Sequence, residues 1–203
     1  MKYWRKTVNL LLVLVMLGSI VSPALAASNN ICCIEQGELT EKEKKKDIAK
    51  AFADKGVQKF REKLIKMGFK LKEIKVRKVN LNGEYKTVVT IFFERGNDVA
   101  VLSYAGADNV FAGVLVDKEL TIFKYDPLSG DISVVTLLSL YDLCVDLCNT
   151  ACAIGCAAGC GELCSLTGWF APICVYIVCP TLCYLIGKYG CDPGCNWLCD
   201  QIT

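Results

Sequence analysis

At 203 residues and 53% hydrophobic content, the chain can bury the core of one ordinary domain or two small ones, and is too apolar to be disordered over most of its length. The formal charge of +2 divides unevenly. Residues 27–136 carry 19 Lys/Arg against 16 Asp/Glu, whereas residues 137–203 carry only Lys188 against Asp142, Asp146, Glu162, Asp192 and Asp200. Neither part has the basic excess that nucleic-acid binding asks for, and with no histidine the chain lacks the commonest general base and metal ligand.

At the N-terminus, Lys2, Arg5 and Lys6 precede an apolar run that starts at Val8 and ends in Pro23 and Ala24-Leu25-Ala26. This is the order of a secretory signal with an A-x-A site, so residues 1–26 are expected to be cut off after Ala26. The alternative is an uncut membrane anchor. Export places the thiols in an oxidising compartment, where disulfides form and persist.

Residues 27–37 form a short leader with the vicinal pair Cys32 and Cys33. Residues 38–126 are expected to be a helix-plus-antiparallel-sheet domain. Thr40 and Glu43 form a capping-box pattern, and Ile48, Ala51, Phe52, Val57, Phe60, Leu64 and Met67 recur at helical steps until Gly68. Lys44, Lys45 and Lys46 read as a solvated first turn. Strand patterning follows, with Asn82-Gly83 as a hairpin signal, so one helix packed on an antiparallel meander of about five strands is the economical fold. Ser103, Tyr104 and Asp108 lie there, but a serine without a partner base is structural.

Pro127 and Gly130 mark a turn, and residues 127–143 read as a linker to a cysteine-rich helical domain at 144–203. Cys144, Cys148, Cys152, Cys156, Cys160 and Cys164 recur every four residues, a slowly winding stripe on a helix of roughly 30 Å. Cysteines four apart on a helix have Cβ atoms about 5–6 Å apart, too far for a disulfide, so they need a second element. Cys174, Cys179, Cys183, Cys191, Cys195 and Cys199 supply it after a break at residues 168–172. The fold class expected for the whole is therefore α+β, ending in a small disulfide-rich all-α helical hairpin. A nested pairing, from Cys164–Cys174 to Cys144–Cys199, is the simplest of on the order of 10⁴ pairings, and the sequence does not choose between them. Ala151, Gly155 and Gly159 would form a small-residue ridge beside the stripe.

Residues 163–187 contain no charged side chain and are long enough to cross a bilayer, although Pro172 and Pro180 oppose one straight helix. They are either the interior of the disulfide-rich domain or a membrane-seeking surface. In the second case Trp169, Phe170, Ile173, Val175, Tyr176, Ile177 and Tyr184 are the candidates for membrane contact.

The segments CNTACAIGCAAGCGELC and APICVYIVCPTLCYLIGKYGCDPGC, behind a signal and a linker, resemble the halocin C8-like bacteriocins over roughly the last third of the chain. The resemblance implies a secreted antimicrobial peptide released from a precursor whose N-terminal part holds it or confers immunity. Expected partners are a target-cell membrane or envelope, a processing protease and the chain's own middle domain; neither nucleic acid nor a cofactor is expected. The alternatives are an uncleaved, secreted structural or interaction module and a Cys-only metal-binding protein. An enzyme is the least expected reading, because C-x-x-C does not occur.

Overall fold

The structure, a computed structural model, describes residues 39–81, 84–117, 119–135, 141–156, 164, 171–191, 194–195 and 199. All of these belong to one compact unit, Ile31–Thr203. The signal with Ala26, the pair Cys32 and Cys33, the Asn82-Gly83 turn, Gly159, Cys160, Trp169 and Phe170 lie outside the described residues.

The capping box forms: Thr40 Oγ1 accepts from the Glu43 amide at 3.3 Å, and the Glu43 carboxylate accepts from the Thr40 amide at 2.8 Å. The single helix expected from periodicity is in fact two, α1 (Glu41–Ala53) and α2 (Lys55–Lys66). Asp54 divides them. Its backbone is extended, and its carboxylate accepts from the amides of Gly56 and Val57, so it caps the second helix as it ends the first.

Six strands follow, β1 (Lys70–Leu81), β2 (Glu84–Arg95), β3 (Asp98–Tyr104), β4 (Val110–Val116), β5 (Glu119–Tyr125) and β6 (Ile132–Val135). They form one antiparallel sheet in sequence order, one strand more than expected. The extra strand comes from the expected linker: Ile132 to Val135 pair with Tyr125 to Ile122, across the turn that Pro127 and Gly130 mark. Helix α3 (Tyr141–Ile154) also begins inside that linker.

Each sheet face has its own apolar cluster. Ile91, Phe93, Ala100, Leu102, Ala112 and Val114 share one with Ala51, Val57, Phe60 and Leu64 of α1 and α2. The alternate residues Val88, Phe92, Val101, Phe111, Leu115 and Ile122 share the other with the cysteine-rich tail. Strands covered on both sides lose the in–out alternation of a half-exposed sheet: Val88–Phe93, Val99–Ser103 and Val110–Leu115 are buried without interruption.

The tail continues with α4 (Ala171–Tyr189), whose residues Cys174–Val178 are wound as a π-helix. Helix α3 does not run the length of the cysteine stripe. It stops before Gly155, whose φ of +94° no L side chain adopts readily, and α4 stops before Gly190 at φ +89°. Gly155 is thus a helix stop rather than part of a packing ridge.

Asp54→Ala should lower the unfolding free energy by about 1 kcal/mol, the usual worth of a lost N-cap, read as a reduced denaturant midpoint at unchanged slope.

Candidate functional site: the sheet face and the stapled tail

The face of α4 turned to the sheet is seated by shape first. Tyr176 and Ile177 are wholly buried, and Ile177 lies over Gly113 of β4. A Cβ on residue 113 would come within 2.5 Å of Ile177 Cγ2, so only glycine admits the helix at this depth. Tyr176 meets Phe111 with ring centroids 6.0 Å apart, and Tyr184 stacks on Phe92 at 4.9 Å.

Two polar anchors fix the helix on that face. The buried Ser103 hydroxyl donates to the Tyr176 carbonyl inside the π segment. At the other end, Glu94 accepts from the Tyr184 hydroxyl and from Lys188 Nζ, both at 2.7 Å, and Lys72 of β1 lies 3.6 Å away. The Lys188 hydrogen bond, then the Tyr184 one, hold the Glu94 carboxyl below the ordinary glutamate range.

Away from the sheet the tail is cross-linked. Cys144–Cys199, Cys148–Cys195, Cys152–Cys191, Cys156–Cys183 and Cys164–Cys174 are bonded, with Cα atoms 5.4, 5.6, 5.9, 5.7 and 5.5 Å apart, inside the span a disulfide bridges without backbone movement. The order is nested, with the innermost and outermost pairs those of the simplest arrangement. Cys179 is disulfide-bonded as well. The triads Cys144/Cys148/Cys199 and Cys164/Cys174/Cys179 each gather their sulfurs within 4.8 Å, but sulfurs held in disulfides are not the thiolates a metal needs.

Of the candidates for membrane contact, Ile173, Val175, Tyr176 and Ile177 are buried and Tyr184 is partly so. The sheet-side residues Glu94, Ser103 and Gly113 were not singled out as a docking surface by sequence reasoning. Two signals pointed to it: unbroken apolar runs in β3 and β4, which imply a second covered face, and a glycine inside a strand, which implies close approach. On the opposite face, Phe60, Leu64, Val114 and Phe123 line a cavity of about 310 Å³ with Lys63 and Arg95 at its edge. Searches against protein-family models, curated proteins and solved structures found no match to this chain.

The docked face can be probed at its closest approach and at its charged anchor. Gly113→Ala should cost about 1–3 kcal/mol through overpacking against Ile177, seen as a lowered thermal midpoint. Because the Glu94 pKa is lower in the folded chain, its contribution is complete above the unfolded value of about 4.3 and is lost as pH falls through the folded one. Glu94→Gln should therefore flatten the acid limb of a stability–pH profile; an unchanged limb would mean that the Lys188 and Tyr184 contacts are not formed in solution.

Proposed function

We propose that the chain is the secreted precursor of a disulfide-stapled antimicrobial peptide, built on the cysteine-rich domain at residues 144–203, that acts at target-cell membranes, and that the sheet domain holds this peptide until release. The observation that carries the reading is α4. It is 19 residues long with a mean hydropathy of 1.6, enough by length and composition to cross a membrane, and about two thirds of it is buried. An apolar helix of this kind needs a partner in water. The sheet provides one, and a bilayer would provide another.

The nested cross-links suit a peptide that must keep its shape after leaving that partner, since they restrict the unfolded chain whether or not the sheet is present. Helices α1 and α2 share their cluster with the far face of the sheet, so release bares the tail face alone. The resemblance of the tail to halocin C8-like bacteriocins points the same way.

Release needs a cut, and the hydrogen bonding of the backbone narrows where it falls. Leu128 is almost fully exposed, but its turn is closed by Asp126 N–H to Asp131 O, by Gly130 N–H to Asp126 O, and by Lys59 Nζ, which donates to Gly130 O. A cut there would also carry β6 away from β5. Cleavage between residues 136 and 143 leaves the sheet whole.

Burial of the sheet on both faces favours a second reading, a secreted module whose tail is a permanent layer of the fold. Intact mass of the secreted material separates the two. Under the precursor reading it gives a peptide that starts between residues 136 and 143, lacks free thiols and releases dye from liposomes, and added sheet domain suppresses the leakage. A stable, uncut secreted chain, or a tail without effect on liposomes and cells, would leave the module reading in place.

A further inference from the structure

The rungs of the tail touch one another. Cys152 Sγ lies 3.9 Å from Cys195 Sγ, and Cys148 Sγ lies 3.7 Å from Cys199 Sγ, yet neither is a bonded pair. In both contacts the cysteine of α3 meets the partner of the preceding rung: Cys195 belongs to Cys148, and Cys199 to Cys144. Cys164, bonded to Cys174, likewise lies 3.3 Å from Cys179. Two columns of cysteines at helical spacing, offset by part of a turn, bring each such sulfur close to two others, only one of which it is bonded to.

We propose that the three rungs on α3 form a relay for thiol–disulfide exchange, which takes reducing equivalents from a small thiol or phosphine at exposed Cys152 and delivers the free thiol to buried Cys144. The reductant first opens Cys152–Cys191. A dithiol gives up two electrons and becomes a disulfide; a phosphine takes an oxygen from water and becomes its oxide. The Cys152 thiolate then attacks Cys195 Sγ, forming Cys152–Cys195 as Cys148–Cys195 breaks and leaves a thiolate on Cys148. That thiolate attacks Cys199 Sγ, forming Cys148–Cys199 as Cys144–Cys199 breaks, and the charge left on Cys144 takes up a proton. Each exchange makes one S–S bond and breaks one, so no further oxidant or reductant enters.

The two ends of the relay differ in exposure, and this sets where the reductant enters. Cys152 is exposed and its partner Cys191 half-exposed, so the reductant reaches this rung. Cys144 is 1% exposed and sits in the apolar cluster with Leu147 and Cys148. A free thiol at Cys144 is therefore out of reach of a reductant in solution, and it forms only by exchange along the rungs. The end state has lost Cys144–Cys199 and holds Cys199 against Cys148, one turn along α3. The relay does not depend on whether the tail is ever released.

The full oxidised chain tests this directly. It is treated with less than one equivalent of a water-soluble phosphine at about pH 3, where thiolates are absent and exchange is frozen. One half is alkylated in acid; the other is first held at about pH 8 without reductant, well into the range where exposed thiols ionise, and then alkylated in acid. Peptide mapping should find the acid sample labelled at Cys152 and Cys191. In the incubated sample part of the Cys152 label should have moved to Cys148 and Cys144, with Cys152–Cys195 and Cys148–Cys199 peptides newly present. In a Cys144→Ala/Cys199→Ala variant the label should stop at Cys148. Label that stays on both members of one original pair after incubation, in the wild-type chain, would overturn the relay.

Discussion

The constraint on which the rest of the structure depends is the second face of the sheet. Val88, Phe92, Val101, Phe111, Leu115 and Ile122 form an apolar surface that α1 and α2 cannot reach, because those helices share a cluster with the alternate residues. At about 25 cal/mol for each Å² of apolar area withheld from water, a face of this size left bare would weigh heavily against the few kcal/mol by which domains are stable. The tail therefore does two things at once. It completes the core of the sheet, and it hides its own most apolar helix.

The two roles draw on different parts of the tail. Contact with the sheet comes from α4 through Tyr176, Ile177 and Tyr184. Cross-linking runs through α3, whose Cys144, Cys148 and Cys152 reach back to Cys199, Cys195 and Cys191. The stops at Gly155 and Gly190 fall at the same level of the ladder, between the Cys152–Cys191 and Cys156–Cys183 rungs. The part that docks and the part that is most densely stapled thus meet at a joint marked by glycines on both columns.

Much of this was legible in the sequence, to the extent that local chemistry decided it. The capping box at Thr40, the antiparallel β1–β2 pairing and the helical spacing of the cysteines each depend on residues close together in the chain. Asp54 was missed because an apolar periodicity running from Ile48 to Met67 masks one polar residue that caps from within. β6 was missed because four residues beside a turn carry little signal, and it is pairing with Ile122 to Tyr125 that makes them a strand. Docking through Gly113, Ser103 and Glu94 brings together residues more than sixty positions apart, and composition carries no record of such distances.

The π segment Cys174–Val178 reconciles two rhythms that would otherwise conflict. Cys174 and Cys179 are five residues apart, whereas Cys179 and Cys183 are four apart, and the wider turn, in which the Cys179 amide donates to the Cys174 carbonyl, absorbs the odd residue. It thereby keeps Cys174 within bonding reach of Cys164 while Tyr176 and Ile177 still face the sheet. One residue fewer here would turn the start of α4 by about 100° relative to the rest of the helix. Either the first rung or the aromatic seat would then be out of phase. The segment acts as a vernier between a column of sulfur and a face of aromatic rings, so tolerance to insertion and deletion in the tail should reach its minimum over these five residues, where a length change has no loop to take it up.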